Sequence, residues 1–276
     1  MHDVKLKNMS FGEPLIVVPK EDFGKLVRYG GKAKNLAIIA QNNFHIAPGV
    51  LLSDTVHNKL QLRGRRYLSL DDETYEELHS ALRQLKIHDS PLIARSSAGI
   101  EDGAEHSFAG MFKTIRNIRF EEIERAINDI YSSVFNPMLE TYSRLRKISI
   151  QNIRIAVLIQ EFIKTDISGV IFTRDPIFKN NEKILIDYVL GDPEGIVSGT
   201  KTPNSITLSR QYLNNLDDTL DNYVLQQNLP GSNSKILSKA IKEALRGEEL
   251  FQYPVDVEWG AKDNQLYIFQ IRPITT

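Results

Sequence analysis

The sequence feature that most constrains the fold is a pair of strand-like segments within residues 254–273, PVDVEWGAKDNQLYIFQIRP. In the first segment, apolar residues at every second position alternate with Asp256 and Glu258. Successive side chains of a strand point to opposite faces of the sheet. The pattern therefore predicts a strand with one buried apolar face and one acidic face.

The second segment carries polar side chains with the same alternation. In a regular strand Gln270 and Arg272 share one face, while Tyr267, Phe269 and Ile271 share the other. Two carboxylates, an amide and a guanidinium on one face would make a poor hydrophobic core. The same groups are well suited to holding a metal ion and phosphate oxygens.

The turn between these segments decides which residues face each other. If the strands pair as a hairpin, an odd-length turn such as Asp263 to Gln265 sets Glu258 opposite Gln270. An even-length turn sets Glu258 opposite Phe269 instead. The metal and phosphate interpretation therefore predicts an odd or bulged connection near Asp263.

Composition excludes several classes of protein. The chain has 276 residues, which is long enough for a substantial core, and a net charge of −1, which argues against a broad nucleic-acid-binding surface. It has no cysteine, so disulfides and thiolate catalysis are excluded. We find no signal-peptide pattern and no apolar run near the roughly 18 residues of a membrane span. We therefore expect a cytoplasmic protein without membrane partners.

The order of predicted elements indicates an α+β protein with mixed sheets. Helical spacing follows Gly30-Gly31 over residues 33–43, and a second helix is expected from Ser69 to about Leu85. A short strand at Leu92 to Ala94 comes next, and strands dominate the second half. Those later strands are predicted at residues 156–163, 169–175, 183–190 and 205–210.

Glycines and a lysine begin the first predicted helix. Gly30-Gly31-Lys32 places backbone N–H groups and an ammonium where an anion could sit. Taken alone, a double glycine before a helix is more often a plain turn. Lys32 is therefore a candidate phosphate ligand, with the turn as the alternative.

A second candidate phosphate site follows the strand at residues 92–94. Arg95 at a strand exit can fork onto phosphate oxygens, and the small residues from Ser107 to Gly110 allow close backbone approach to a ligand. The alternative is a solvated loop in which Arg95 pairs with Glu101 or Asp102. The residues alone leave both interpretations open.

The strand end Gln160-Glu161-Phe162-Ile163 has the character of a hinge. Main-chain groups there can hydrogen-bond an adenine edge while Phe162 and Ile163 pack against the ring. An ordinary strand end is the alternative. Further along, Asp187 within a strand is either a metal-supporting carboxylate or a solvated surface charge.

Read in order, five sequence blocks resemble the ATP-binding domain of phosphoenolpyruvate synthases and pyruvate phosphate dikinases, which rifampin phosphotransferases share. The resemblance covers about Gly30 to Pro273. The blocks are GGKAKNLA (30–37), ARSSAGIEDGAEHSFAGMF (94–112), QEFIKTDISGVIFTRDP (160–176), GIVSGTKTPNS (195–205) and PVDVEW…LYIFQIRP (254–273).

This resemblance implies an ATP-grasp-like fold, in which two lobes close on a nucleotide whose phosphates are bridged by Mg²⁺. The whole chain, 1–276, would form one ATP-binding domain with sub-lobes of roughly 1–155 and 156–276. Lys32 and Arg95 would bind phosphates, and the loop from Ser107 to Gly110 would cover them. The segment from Gln160 to Ile163, including Glu161, would hold adenine.

The resemblance also implies roles for the polar face of the terminal strands. Asp256, Glu258 and Gln270 would arrange Mg²⁺ and phosphate, and Arg272 would stabilise the charge on the transferred group. Arg95, Glu258, Gln270 and Arg272 are thus the candidate catalytic residues. Asp187, where the family has a glutamate, would contribute to the nucleotide site.

In the family a histidine on a swivelling domain, in a threonine-serine-histidine context, accepts the phosphoryl group. We find no such histidine here, so the resemblance implies transfer of a phosphoryl or pyrophosphoryl group to a histidine carrier domain or protein in trans, and from there to a small-molecule acceptor. One alternative is a self-sufficient ATP-grasp kinase or ligase that acts directly on a small molecule. The other is a non-catalytic nucleotide-binding regulatory subunit, favoured by Asp187 and by Pro193 in place of a glycine.

Overall fold

The computed structural model describes residues 14–18, 29–57, 70–98, 113–133, 137, 139, 141, 153–178, 180–192, 202–226 and 232–274. The chain divides into two compact units. The first unit draws on residues 1–40 and 47–162, and the second on residues 41–46 and 163–276. The division thus falls after Phe162, and the short segment 41–46 belongs with the second unit.

In the described part of the first unit, five strands form one mixed sheet in the order β1-β2-β5-β3-β4. Strands β1 and β2 are parallel, and the other neighbours are antiparallel. The strands are β1 (Leu15–Val18), β2 (Gly49–Leu52), β3 (Leu92–Ala98), β4 (Thr114–Ile118) and β5 (Ile155–Glu161).

The core of the first unit lies on one face of this sheet. The helices that cover it are α2 (Asp72–Gln84) and α3 (Ile123–Ser132). Leu78 and Ile127 are fully buried in this core. Asp71 begins α2, because its Oδ1 accepts a hydrogen bond from Thr74 N at 2.8 Å. The capped helix predicted from Ser69 is therefore confirmed, with its cap at Asp71.

Helix α1 (Gly30–Gln41) belongs to the stretch predicted as helical after the double glycine. Its apolar residues are buried, and Leu36 and Ile39 are at most 1% exposed. Gly30 has φ of +73°, a conformation that residues with a side chain rarely adopt. The glycine is therefore required by the backbone at the helix start.

In the described part of the second unit, five strands form an antiparallel sheet in the order β10-β9-β6-β7-β8. The strands are β6 (Ile167–Phe172), β7 (Lys183–Leu190), β8 (Asn204–Ser209), β9 (Val255–Lys262) and β10 (Gln265–Pro273). Helices α4 (Leu216–Gln226) and α5 (Ser232–Phe251) precede the terminal hairpin.

Helix α5 covers one face of the second sheet. Val255, Val257 and Trp259 point to that face and are at most 1% exposed. A Cβ on Gly247 of α5 would come within 2.9 Å of Ile271 Cδ1, which shows how closely helix and sheet approach. The predicted apolar face of β9 is confirmed, and the polar residues of β9 occupy the other face.

The terminal hairpin reaches its register by the bulged one of the two predicted connections, with the bulge beyond the turn itself. Lys262 pairs with Gln265, so the turn has two residues, Asp263 and Asn264, with φ of +50° and +62°. The odd-length turn is therefore wrong. A bulge between Ile268 and Gln270 shifts the pairing by one residue, and Glu258 lies opposite Gln270 as required.

The bulge also changes which aromatic residues share the polar face. Tyr267 pairs with Gly260, two residues after Glu258, so Tyr267 lies on the face of Gln270. A Cβ on Gly260 would lie 2.7 Å from Cε2 of Phe269, which places that ring there as well. The predicted opposite placement of both residues is wrong because a bulge breaks the strict alternation of side chains.

The α+β class with mixed and antiparallel sheets is confirmed. Strand β3 is longer than predicted, however, because it runs to Ala98 and places Arg95 inside the strand. The predicted strand exit at Arg95 is therefore wrong. In the part of the chain that the structure describes, no helix is long and apolar enough to cross a membrane.

Candidate functional site

A continuous row of side chains crosses the second sheet on the face that α5 leaves open. Gln270 lies opposite Glu258, Glu258 opposite Val170, Val170 opposite Asp187, and Asp187 opposite Ser205. Directly opposed residues of neighbouring strands project to the same face. The structure thus brings together three of the predicted site residues from three different strands.

The next row toward the end of the sheet contains an ion pair. Arg272 lies opposite Asp256, and its Nε donates to Asp256 Oδ2 at 2.7 Å. The Asp256 side chain is 7% exposed and that of Arg272 is 32% exposed. Because the charges of a pair in this position are partly removed from water, each fixes the position of the other. Asp256 thus orients the guanidinium.

The first row holds its two acidic groups in different ways. Glu258 is half-buried in the middle of the sheet, next to Gln270. Asp187 accepts a hydrogen bond from Ser205 Oγ at 2.5 Å. Its carboxylate is thereby anchored to the edge strand β8. The row therefore presents two carboxylates whose positions are set by neighbouring strands.

In the first unit, Lys32 and Arg95 lie on two elements that meet at Ser97. Lys32 is in the first turn of α1, and Arg95 is two residues before Ser97 in β3. Ser97 Oγ accepts from Ala33 N at 3.0 Å and donates to Tyr29 O at 2.5 Å. This contact joins the two predicted phosphate-binding segments within one unit.

The side chains at the predicted adenine site bind other protein groups. Gln160 is 2% exposed and donates from Nε2 to Ala47 O at 2.7 Å. Glu161 accepts from Ser90 Oγ at 3.2 Å. A nucleotide base at this segment would therefore be recognised through main-chain groups, which is how the sequence analysis framed it.

The main chain of this segment is itself partly engaged. Glu161 N donates to Pro48 O at 3.0 Å, and Phe162 N donates to Pro91 O at 2.7 Å. Ile163, the next residue, is 9% exposed. The N–H groups of Glu161 and Phe162 are thus already used within the protein.

Some predicted site residues lie outside the described part of the chain. These are Ser107 and Gly110, together with the variant loop residue Pro193. The alternative partners of Arg95, Glu101 and Asp102, lie outside it as well. Their roles stay predictions.

The sequence analysis overlooked one Thr-x-His sequence, Thr55-Val56-His57. His57 is 2% exposed and stacks on Tyr131, with ring centroids 4.7 Å apart. Burial lowers the pKa of His57 to about 4. A neutral histidine enclosed in this way cannot meet a nucleotide in solution, so we do not assign it as a phosphoryl acceptor.

Three residues that the sequence analysis did not single out make contacts beside the predicted site residues. Ser97 lies in β3 and bonds the start of α1. Thr173 follows β6, and its Oγ1 accepts from Val255 N at 2.9 Å, beside Asp256. Arg210 donates from Nη2 to Thr173 O at 2.7 Å. None of these contacts has a signal in sequence spacing.

The acidic face fits a magnesium ion that is shared with a ligand. In the described residues, no group of three or more histidine or acidic side chains is placed to hold a metal by itself. Mg²⁺ is commonly bound through one or two carboxylates plus substrate phosphates. Glu258, with the amide oxygen of Gln270 opposite, supplies that type of donor.

The chain is thus an α+β protein whose second sheet has one polar face, on which acidic side chains lie beside a cationic one. The family model for "Pyruvate phosphate dikinase, AMP/ATP-binding domain" matches residues 66–276. The chain therefore belongs to the pyruvate phosphate dikinase AMP/ATP-binding domain family, as its sequence blocks predicted.

Curated relatives agree with this assignment. A probable phosphoenolpyruvate synthase from Methanothermobacter thermautotrophicus is 27% identical over 327 aligned positions, covering 99% of this chain and 47% of that protein. "Uncharacterized phosphotransferase YvkC" from Bacillus subtilis is 28% identical, over 75% of this chain and 27% of its own length. A rifampicin phosphotransferase from Streptomyces sviceus is 30% identical over 66% of this chain and 23% of its own length. The chain thus spans less than half the length of these relatives.

Proposed function

We propose that the chain binds MgATP and transfers a phosphoryl or pyrophosphoryl group to a histidine on a separate carrier domain or protein. The observation that carries the proposal is the pair of rows on the second sheet. Glu258 and Gln270 face each other, and the Asp256–Arg272 ion pair lies directly beside them. The family is described as an AMP/ATP-binding domain, so ATP is the ligand that we assign to this arrangement.

Phosphoryl transfer requires positioning and fixed charge more than covalent chemistry by the protein. We assign Arg272 to the charge that develops on the transferred group. Its Nε is occupied by Asp256, so the outer edge of the guanidinium is the part that faces a ligand. Asp256 holds that cation in place, in addition to the metal role predicted for it.

Glu258 and Gln270 would hold Mg²⁺, with Asp256 as the neighbouring carboxylate. When bound, Mg²⁺ neutralises charge on the phosphate oxygens. Asp187 lies in the same row as Glu258 and is oriented by Ser205. We assign it to the nucleotide rather than to the metal, because the row continues through Val170 between the two acids.

Other residues would bind the rest of the nucleotide. Lys32 and Arg95 would bind phosphates, with the segment from Ser107 to Gly110 above them. Main-chain groups between Gln160 and Ile163 would bind adenine. Arg95 projects from the face of β3 opposite the hydrophobic core, and Gln160 lies on that same face.

In the proposed reaction a histidine nitrogen attacks a phosphorus atom of ATP. A bond from nitrogen to phosphorus forms as the bond to the leaving nucleotide oxygen breaks. Attack on the γ-phosphorus leaves ADP, and attack on the β-phosphorus leaves AMP. A small-molecule acceptor would then take the group from the carrier.

The test is transfer of isotope from γ- and β-labelled ATP to a separately supplied histidine domain of the family. We expect labelling by the wild-type chain, and a loss of at least 100-fold in Glu258→Gln and Arg272→Ala variants, on the order seen when fixed transition-state charges are removed. Glu249→Gln, an exposed change on α5, is the matched control.

Other outcomes separate the alternatives. Undiminished labelling by both variants would rule out the site. Turnover of ATP by the isolated chain with a small acceptor, without a phosphohistidine, would indicate a self-sufficient kinase or ligase. Tight MgATP binding with no product under any pairing would indicate a regulatory subunit.

A further inference from the structure

A serine hydroxyl from strand β3 bonds the start of helix α1. Tyr29 O and Ala33 N are four positions apart, the spacing of a helical hydrogen bond. Both also bond Ser97 Oγ: Ala33 N–H donates to it at 3.0 Å, and it donates its own hydrogen to Tyr29 O at 2.5 Å. The hydroxyl of a strand residue thus ties the first turn of the helix to the sheet.

The glycine at this turn makes the close contact with Ser97 possible. Gly30 has φ of +73°, a conformation that residues with a side chain rarely adopt. A Cβ at Gly30 would lie 2.5 Å from Ser97 O and 2.7 Å from Ser97 Oγ. Only a residue without a side chain lets the strand approach this closely. Gly30 and Ser97 therefore form a single junction between α1 and β3.

The junction is fully enclosed and its hydrogen bonds are directional. Ser97 and Tyr29 are 0% exposed, and Ala33 is 1% exposed. Because Ala33 N–H can only donate, the Ser97 hydroxyl must use its own hydrogen for Tyr29 O. Water cannot replace either bond in a site without solvent access, so loss of the hydroxyl forces the first turn to rearrange.

That first turn carries Lys32, and the strand carries Arg95. We propose that Ser97 is a positioning residue, which sets the first turn of α1 against β3 and so fixes Lys32 relative to Arg95 for binding the phosphates of ATP. The inference rests on the proposed function, because it assumes that these cations bind phosphate. The role of Ser97 is indirect: it positions the start of α1, and Lys32 and Arg95 bind the phosphates.

The proposal predicts an effect that depends on the number of phosphates. In Ser97→Ala we expect the affinity for MgATP to fall by about tenfold, the consequence of losing roughly 1.4 kcal/mol of binding free energy. Affinity for AMP should change by less than about threefold, since AMP lacks the terminal phosphates. In a Lys32→Ala background, Ser97→Ala should add little further loss, because the residue through which it acts is gone.

Ser133→Ala is the matched control. Ser133 is a buried serine of the same unit, 6% exposed, and its Oγ donates to Ile130 O at 2.6 Å at the end of α3. This variant loses a buried hydroxyl whose hydrogen bond is to its own helix. Titration calorimetry with MgATP and AMP, together with a melting curve for each variant, measures all the quantities needed.

The results separate three cases. Equal losses for MgATP and AMP, or the same behaviour in Ser97→Ala and Ser133→Ala, would overturn the positioning role and leave Ser97 as an ordinary buried serine. A wild-type chain that does not bind MgATP would overturn the proposed function and this inference with it. If Ser97→Ala does not fold, Ser97→Cys carries the test, since its S–H replaces the O–H but is only a weak hydrogen-bond donor and acceptor. Wild-type MgATP affinity in that variant would overturn the inference.

Discussion

Arg272 Nε donates to Asp256 Oδ2 across 2.7 Å, and the two residues lie directly opposite each other on β10 and β9. One partner is almost enclosed and the other is about one-third exposed. The sequence analysis assigned Asp256 to the metal and Arg272 to the phosphate. The contact shows that the acid also fixes the direction of the guanidinium.

Asp256→Asn tests this coupling. The change keeps the shape of the side chain and removes its charge, so Arg272 loses its ion-pair partner. We expect phosphoryl transfer to fall by at least tenfold and the free energy of unfolding to drop by about 1–3 kcal/mol. Labelled-ATP transfer and urea unfolding measure the two effects.

The control for that experiment is Asp218→Asn, an exposed acid on α4. It should leave both quantities within experimental error. If Asp256→Asn behaves like this control, the ion pair has no part in orienting Arg272.

Two glycines with positive φ separate the effect of strain from that of crowding. Gly30 has φ of +73° and lies against Ser97, whereas Gly191 has φ of +93° and nothing within 4 Å of its ideal Cβ. Gly191→Ala should cost about 1–2 kcal/mol from backbone strain alone. Gly30→Ala should cost about 3 kcal/mol or more, because overpacking adds to strain. Equal costs in urea unfolding would show that the close approach of α1 and β3 is not real.

The two-residue turn of the terminal hairpin predicts its own tolerance to substitution. Asp263 and Asn264 both have positive φ, as in the turns that suit the twist of a hairpin. Asn264→Gly should leave stability unchanged or raise it slightly. Asn264→Val should lower it by about 1–2 kcal/mol, because a β-branched residue is disfavoured in that conformation. Chemical unfolding of Asn264→Gly and Asn264→Val measures this difference in stability. Equal stability of the two variants would argue against this turn.

Burial of His57 predicts an acid-dependent loss of stability. Burial lowers the pKa of His57 to about 4 in the folded chain, whereas an unfolded histidine titrates near 6.5. Between these values the unfolded state binds the proton and the folded state does not, so stability falls as the pH drops from about 6.5 to 4. The full effect is about 3 kcal/mol.

His57→Phe keeps a ring against Tyr131 and removes the titrating group. The difference in unfolding free energy between wild type and His57→Phe should therefore change across this pH window and level off above it. Parallel pH profiles for the two proteins would contradict the burial of a neutral His57.

Much of the polar face was predictable from the sequence because strand alternation is a local property. Asp256 and Glu258 share a face whatever the rest of the chain does, and the five blocks in order predicted the family. The pairing of Glu258 with Gln270 was also predicted. Two ways to reach it were predicted, an odd-length turn or a bulge, and the sequence could not decide between them, since both give the same pairing.

Contacts between segments that are far apart in the chain could not be predicted from the sequence. The Ser97 hydroxyl bonds residues 64 and 68 positions away, and no spacing rule connects them. The extent of β3 to Ala98 was hidden because Arg95 and two serines look like loop residues. Segment 41–46 joins the second unit through contacts such as Ile268 N to His45 O at 2.9 Å, which the helical pattern before it does not indicate.

The most direct test of the account is a calorimetric titration of MgATP into the wild-type chain and into Glu258→Gln. We predict one ATP bound per chain and a loss of affinity of about tenfold or more in the variant when magnesium is present. The variant should differ little from wild type when magnesium is withheld. No binding by the wild type, or the same magnesium-dependent affinity in both proteins, would contradict the central claim that this sheet face holds MgATP.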